Sequence, residues 1–117
     1  MRKLAGISGV VVLLLALAVG AAATSAAPEK RGSKTVKVED NFFSPDSLNV
    51  SSGTKVKFNW TGTGKHNVVK TKGPGGAFSS PTTTSQGVNF EHKFSKSGTY
   101  KLICTIHPDM TMKVKVK

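Results

Sequence analysis

The sequence predicts an all-β domain of two packed sheets, a sandwich or small barrel, on three observations. Apolar residues recur at every second position through most of the chain beyond residue 34. Turn-forming clusters interrupt these runs at short intervals. No segment there carries the three-to-four-residue apolar spacing of an amphipathic helix.

The runs follow one another in order. Val36 and Val38 flank Lys37; Val56, Phe58 and Trp60 alternate with Lys57 and Asn59; Val88, Phe90, His92 and Phe94 fall on one face; so do Tyr100, Leu102 and Cys104; Val114 and Val116 alternate with Lys113, Lys115 and Lys117. Period-two alternation gives each strand one buried and one wet face. Ser51-Ser52-Gly53, Thr61–Gly64, Gly73–Gly76 and Ser97-Gly98 break the runs, and Ser79–Gly87 reads as a longer polar loop or weak strand. This punctuation predicts five to seven strands in antiparallel sheets.

The start of the chain has a different composition. Arg2 and Lys3 precede ten uninterrupted apolar residues, Val10–Val19, and Ala21–Ala27 are small. That is the layout of a secretory signal peptide, and the apolar run falls well short of the ~20 residues of a membrane-spanning helix. The expected organisation is a signal peptide over 1–27, a flexible lead-in over 28–34 and one domain over 35–117. The product would be exported to the periplasm, cell surface or exterior, with an uncleaved N-terminal segment as its sole route to a membrane.

The chain of 117 residues carries 17 basic and 6 acidic side chains. Removing residues 1–27 takes away Arg2 and Lys3 and no acid, leaving 90 residues with 15 basic and 6 acidic groups. Lysines on wet strand faces account for much of this charge and blunt the sheet edges. No RRM, OB or zinc-finger pattern accompanies them, so nucleic acid is not an expected partner. A single Cys excludes a disulfide framework, and six acids are too few for a calcium cage or a carboxylate-rich di-metal site. A chain this small gains from a metal staple, and a lone thiol outside the cytosol oxidises unless something occupies it.

The chemistry-bearing stretch is Tyr100–Met112. Cys104 ends a strand, His107 follows three residues later, and Met110 and Met112 come next; His66 lies upstream at a predicted strand start. A thiolate, two imidazoles and a thioether are the donors of a trigonal copper site with a weak axial ligand. Structural zinc prefers four Cys or His ligands. Catalytic zinc needs a positioned general base, and Asp109 is the sole nearby carboxylate. Nothing in the chain resembles a protease signature, so no enzymatic activity is expected. His92, between Phe90 and Phe94, reads as structural.

These segments together resemble the cupredoxins, the small blue copper proteins such as plastocyanin, pseudoazurin and amicyanin. The resemblance runs from Thr35 to Lys117: Phe43-Ser44-Pro45 with Leu48 and Val50, Gly53 with Val56, Phe58 and Trp60, His66-Asn67-Val68, then Gly98-Thr99-Tyr100 and Cys104–Met110. It implies an eight-stranded Greek-key sandwich and one copper ion cycling between Cu(II) and Cu(I). His66, Cys104 and His107 would be the equatorial ligands. The axial ligand is Met110 in the amicyanin-like His-Pro-x-Met form and Met112 in the plastocyanin-like spacing. Alternation back from Val116 gives Met112 a core position, so Met110 is the expected ligand. Asn67 would bond across to Thr105 and tie the two ligand segments together, and the edge of His107 would face the surface between Ile106 and Pro108. The function implied is that of a single-electron carrier; the Lys-rich surface would steer redox partners with acidic docking surfaces, and the chain is expected to be a monomer. The second reading is an extracytoplasmic copper carrier or buffer.

Overall fold

The computed structural model describes residues 32–117; the expected signal peptide and most of the lead-in lie outside the described residues. Eight strands form: β1 (Ser33–Glu39), β2 (Phe42–Ser44), β3 (Ser47–Val50), β4 (Thr54–Trp60), β5 (Val69–Lys72), β6 (Gly87–Phe94), β7 (Gly98–Ile103) and β8 (Thr111–Val116). β1 begins two residues before the expected domain start, because Ser33 and Lys34 already pair with Lys55 and Val56. β2 and β3 are three and four residues long, too short for alternation to reveal them separately. No helix among the described residues is long and apolar enough to cross a membrane.

The strands make two four-stranded sheets, ordered β2-β1-β4-β6 and β3-β8-β7-β5. The sheets are mixed rather than purely antiparallel. β1 runs parallel to β4, and β3 parallel to β8. Between β1 and β4 the chain visits the second sheet to lay down β3, so these neighbours are not joined by a hairpin. Local alternation carries no information about such a crossover.

The core fills the space between the sheets. Val36, Val38, Val56, Phe58 and Trp60 point in from the first, and Tyr100, Leu102, Met112, Val114 and Val116 from the second; all are buried. β6 departs from the expected alternation. Its register with β4 shifts after the Phe58–Phe90 pair, so that Asn59 faces Val88. The extra residue, Asn89, turns Val88 to the outer face, where it is 48% exposed, while Phe90 and Phe94 stay on the core side. His92 keeps its place in the aromatic cluster, stacked on Phe78 with ring centroids 3.8 Å apart and edge-on to Phe94.

Candidate metal centre

His66 and Cys104 reach the same end of the sandwich from different segments. Cys104 directly follows β7, and its N–H donates to the Met110 carbonyl at 2.9 Å. Met110 N–H donates in turn to the His107 carbonyl at 2.9 Å, closing a short loop that returns the chain into β8. His66 precedes β5 rather than opening it. It forms a two-way backbone bridge with Thr83 at 3.1 Å each way, and its carbonyl also accepts from the Trp60 indole N–H at 3.3 Å. The polar Ser79–Gly87 segment is thus the wall that holds the His66 segment: Val68 N–H donates to the Ser80 hydroxyl, and Ser80 N–H to the Val68 carbonyl, both at 2.8 Å.

Asn67 joins the segments that carry His66 and Cys104. Its carbonyl oxygen accepts from Thr105 N–H at 2.8 Å, and its amide donates to the hydroxyls of Thr105 at 2.8 Å and Thr82 at 2.9 Å. The Thr105 contacts meet the sequence expectation; Thr82 is an additional partner.

One imidazole nitrogen from each of His66 and His107 and the Cys104 sulfur all lie within 4.8 Å of one another. Cys104 Sγ is 3.7 Å from His107 Nδ1, and the two imidazole centroids are 4.9 Å apart. Donors ringing one ion at about 2.0–2.3 Å stand about 3.5–4 Å apart, so the sulfur–nitrogen spacing suits a shared metal. His66 and Cys104 are fully buried, whereas His107 is half-buried beside exposed Ile106, Pro108 and Asp109. His92 has no part in this cluster.

Asp40, in the turn between β1 and β2, is a further residue of this site that no sequence motif marks. Its Oδ1 lies 3.0 Å from His66 Nε2. An ionised carboxylate only accepts, so the proton of His66 sits on Nε2 and Nδ1 is left as a lone-pair donor. The Asp40 carboxyl is held far below the ordinary carboxylate range, first by the His66 hydrogen bond and then by the N–H groups of Gly64 and Thr63.

This arrangement leaves His66 Nδ1 fully buried without a hydrogen-bond partner. An orphaned buried acceptor costs about 1–3 kcal/mol. A metal ion bound at Nδ1 removes that cost. A thiolate and two imidazoles fit copper in particular, so the residues present suit a single copper ion of the blue type.

The comparisons agree. Residues 31–117 match the copper binding proteins of the plastocyanin/azurin family. Halocyanin from Natronomonas pharaonis is 36% identical over 66 residues, a stretch covering 56% of this chain and 40% of halocyanin, so the chain matches well under half of that relative's length. A purple cupredoxin from Nitrosopumilus maritimus is 28% identical, with a TM-score of 0.61 over 71% of this chain and 98% of its own. A reduced point mutant of amicyanin is 27% identical, with a TM-score of 0.64 over 71% of this chain and 80% of its own. The fold, the donor cluster and the match over residues 31–117 lead to one conclusion: the chain is a cupredoxin, a member of the plastocyanin/azurin family of copper-binding proteins.

Proposed function

We propose that this protein is an exported single-electron carrier whose copper would be held by His66, Cys104 and His107, with Met110 as a fourth, weaker donor. Bound there, copper supplies a one-electron couple between Cu(II) and Cu(I). The observation that carries the reading is the buried donor set with its orphaned His66 Nδ1, open to the surface only on the His107 side.

The chain's own residues favour a fixed site over a releasing one. Asn67 and the Cys104–Met110 backbone bonds hold the donors in place before any ion arrives. Burial of His66 and Cys104 keeps water and competing ligands out. Half-buried His107, with exposed Ile106 beside it, offers a short path to a partner and an apolar contact. Met110 is favoured as the axial donor because its backbone is bonded to both Cys104 and His107. Met112 instead pairs with Leu102 and shares the inward face of β8 with Val114 and Val116.

The partner is an acidic redox protein. On the outer face of the second sheet, Lys72 pairs with Lys101 and Lys101 with Lys113, so three exposed lysines stand in one row across adjacent strands. The one Lys–carboxylate ion pair among the described residues, Lys55–Glu91, is on the other sheet. A row of like charges that makes no ion pair steers an anionic surface, with an on-rate that falls as salt rises. Family relatives named halocyanin and amicyanin support the carrier role and a site outside the cytoplasm.

Stopped-flow oxidation and reduction of the copper-loaded chain tests the reading. Fast, reversible electron exchange with copper retained against a chelator is expected. Loss of copper to the chelator within seconds would favour the carrier or buffer role instead.

A further inference from the structure

The turn that carries Asp40 is built around its carboxylate. Asn41, with φ 73°, takes the left-handed conformation that reverses the chain between β1 and β2. The Thr61–Gly64 turn, which follows β4, then closes over Asp40. Thr63 N–H donates to Oδ1 at 3.0 Å and to Oδ2 at 3.1 Å, the Thr63 hydroxyl donates to Oδ2 at 3.1 Å, and Gly64 N–H donates to Oδ1 at 2.8 Å. Two glycines make the approach feasible. A Cβ at Gly62 would stand 2.5 Å from Asp40 Oδ1, and one at Gly64 would stand 3.1 Å from Oδ1 and 3.4 Å from His66 Nε2.

Four contacts thus fix a carboxylate that itself makes one outward contact, to the fully buried His66 ring. A carboxylate used only to stabilise its turn would not need a buried imidazole within 3.0 Å. A histidine held only by packing would not need an ionised partner.

We infer that Asp40 is a positioning residue for the copper site: it locks His66 with Nδ1 facing the ion and, as a fixed negative charge on the far side of the ring, makes that nitrogen a stronger donor to Cu(II) than to Cu(I). The inference rests on His66 being a ligand. Its direction follows from charge, since electron density pushed through the ring favours the more positive metal state and lowers the reduction potential.

Asp40→Asn tests it with little disturbance. An Asn Oδ1 keeps the bonds from Gly64 and Thr63, and its amide can donate to the Thr63 hydroxyl that Oδ2 now faces. The charge is lost, together with the second Thr63 N–H contact, the one to Oδ2. The expected result is about a tenfold loss of Cu(II) affinity relative to Cu(I), which raises the potential by about 59 mV. In the Cu(I)-loaded wild-type chain, NMR should show a slowly exchanging His66 Nε2–H proton shifted downfield by the carboxylate, and the shift should shrink in Asp40→Asn. Should that variant not fold, Gly64→Ala presses on the same hydrogen bond from the other side and should raise the potential less, in the same direction.

An unchanged or lowered potential in a variant that stays blue overturns the inference alone. So does a fast-exchanging Nε2–H in the wild type. A wild-type chain that takes up no copper overturns this inference and the ligand reading together.

Discussion

Asn67→Ala removes the clasp between the two ligand-bearing segments, and its cost can be worked from the contacts. The side chain is 6% exposed and makes three hydrogen bonds, one from Thr105 N–H and two to the hydroxyls of Thr82 and Thr105. Each such bond contributes about 0.5–1.5 kcal/mol net. Thr82 and Thr105 are both exposed, so water can satisfy their groups once Asn67 is gone. That discount brings the expected loss to about 2 kcal/mol. For a domain of this size, about 4–8 °C of midpoint goes with each kcal/mol, so the melting temperature should fall by about 10 °C. Calorimetry on the copper-free and copper-loaded chains measures it. The copper-loaded variant should also release copper faster, because the His66 and Cys104 segments are no longer coupled. An N67A/T105A double mutant should lose clearly less than the sum of the single losses, since both act on one contact. A midpoint drop under about 3 °C with unchanged copper release would refute the clasp, as the three bonds would then contribute almost nothing net.

The other expectations concern the axial donor and pH. Met110→Leu should shift both the visible spectrum and the reduction potential, whereas Met112→Leu should leave both in place and cost less than about 1.5 kcal/mol as a volume-conserving core change; the opposite pattern would give the axial role to Met112. Burial pushes the His92 pKa down, helped by the Lys70 charge; Lys93 and Lys96 line a surface cleft with His92. The unfolded chain then takes up a proton at the ordinary value of about 6.5, before the folded chain does. Stability should therefore fall as pH drops below about 6.5 toward the lower folded value. His92→Phe, which preserves the stack on Phe78, should flatten that part of the profile in urea titrations read at several pH values, and an unchanged slope would contradict it.

Much of the fold was legible because it is written in alternation. Val36, Val38, Val56, Phe58, Trp60, Tyr100, Leu102, Val114 and Val116 all point inward, as period two requires. Val88 departs from the alternation because a one-residue bulge, which leaves no mark in composition, turns it to the outer face. The parallel pairings of β1 with β4 and β3 with β8 were out of reach for a related reason, since they depend on which sheet the chain crosses to rather than on any local pattern.

The proposed donors stood out because Cys104 and His107 share one loop and soft ligands are few in this sequence. Asn67 came with them through the family resemblance. Asp40 did not. It lies 26 residues from His66, on another turn, and an Asp before an Asn in a turn looks like ordinary turn chemistry. Only the folded chain shows the Thr61–Gly64 segment wrapped around it, and only then do Gly62 and Gly64 gain a reason beyond breaking a strand.

The central claim is that His66, Cys104 and His107 hold one redox-active copper. Titrating the copper-free chain with Cu(II), followed by visible absorption and EPR, tests it most directly. The account predicts saturation at a single equivalent, an intense blue sulfur-to-copper band that bleaches on reduction and returns on oxidation, and loss of that band in Cys104→Ser. A colourless Cu(II) complex, or a blue band that survives Cys104→Ser, would contradict it.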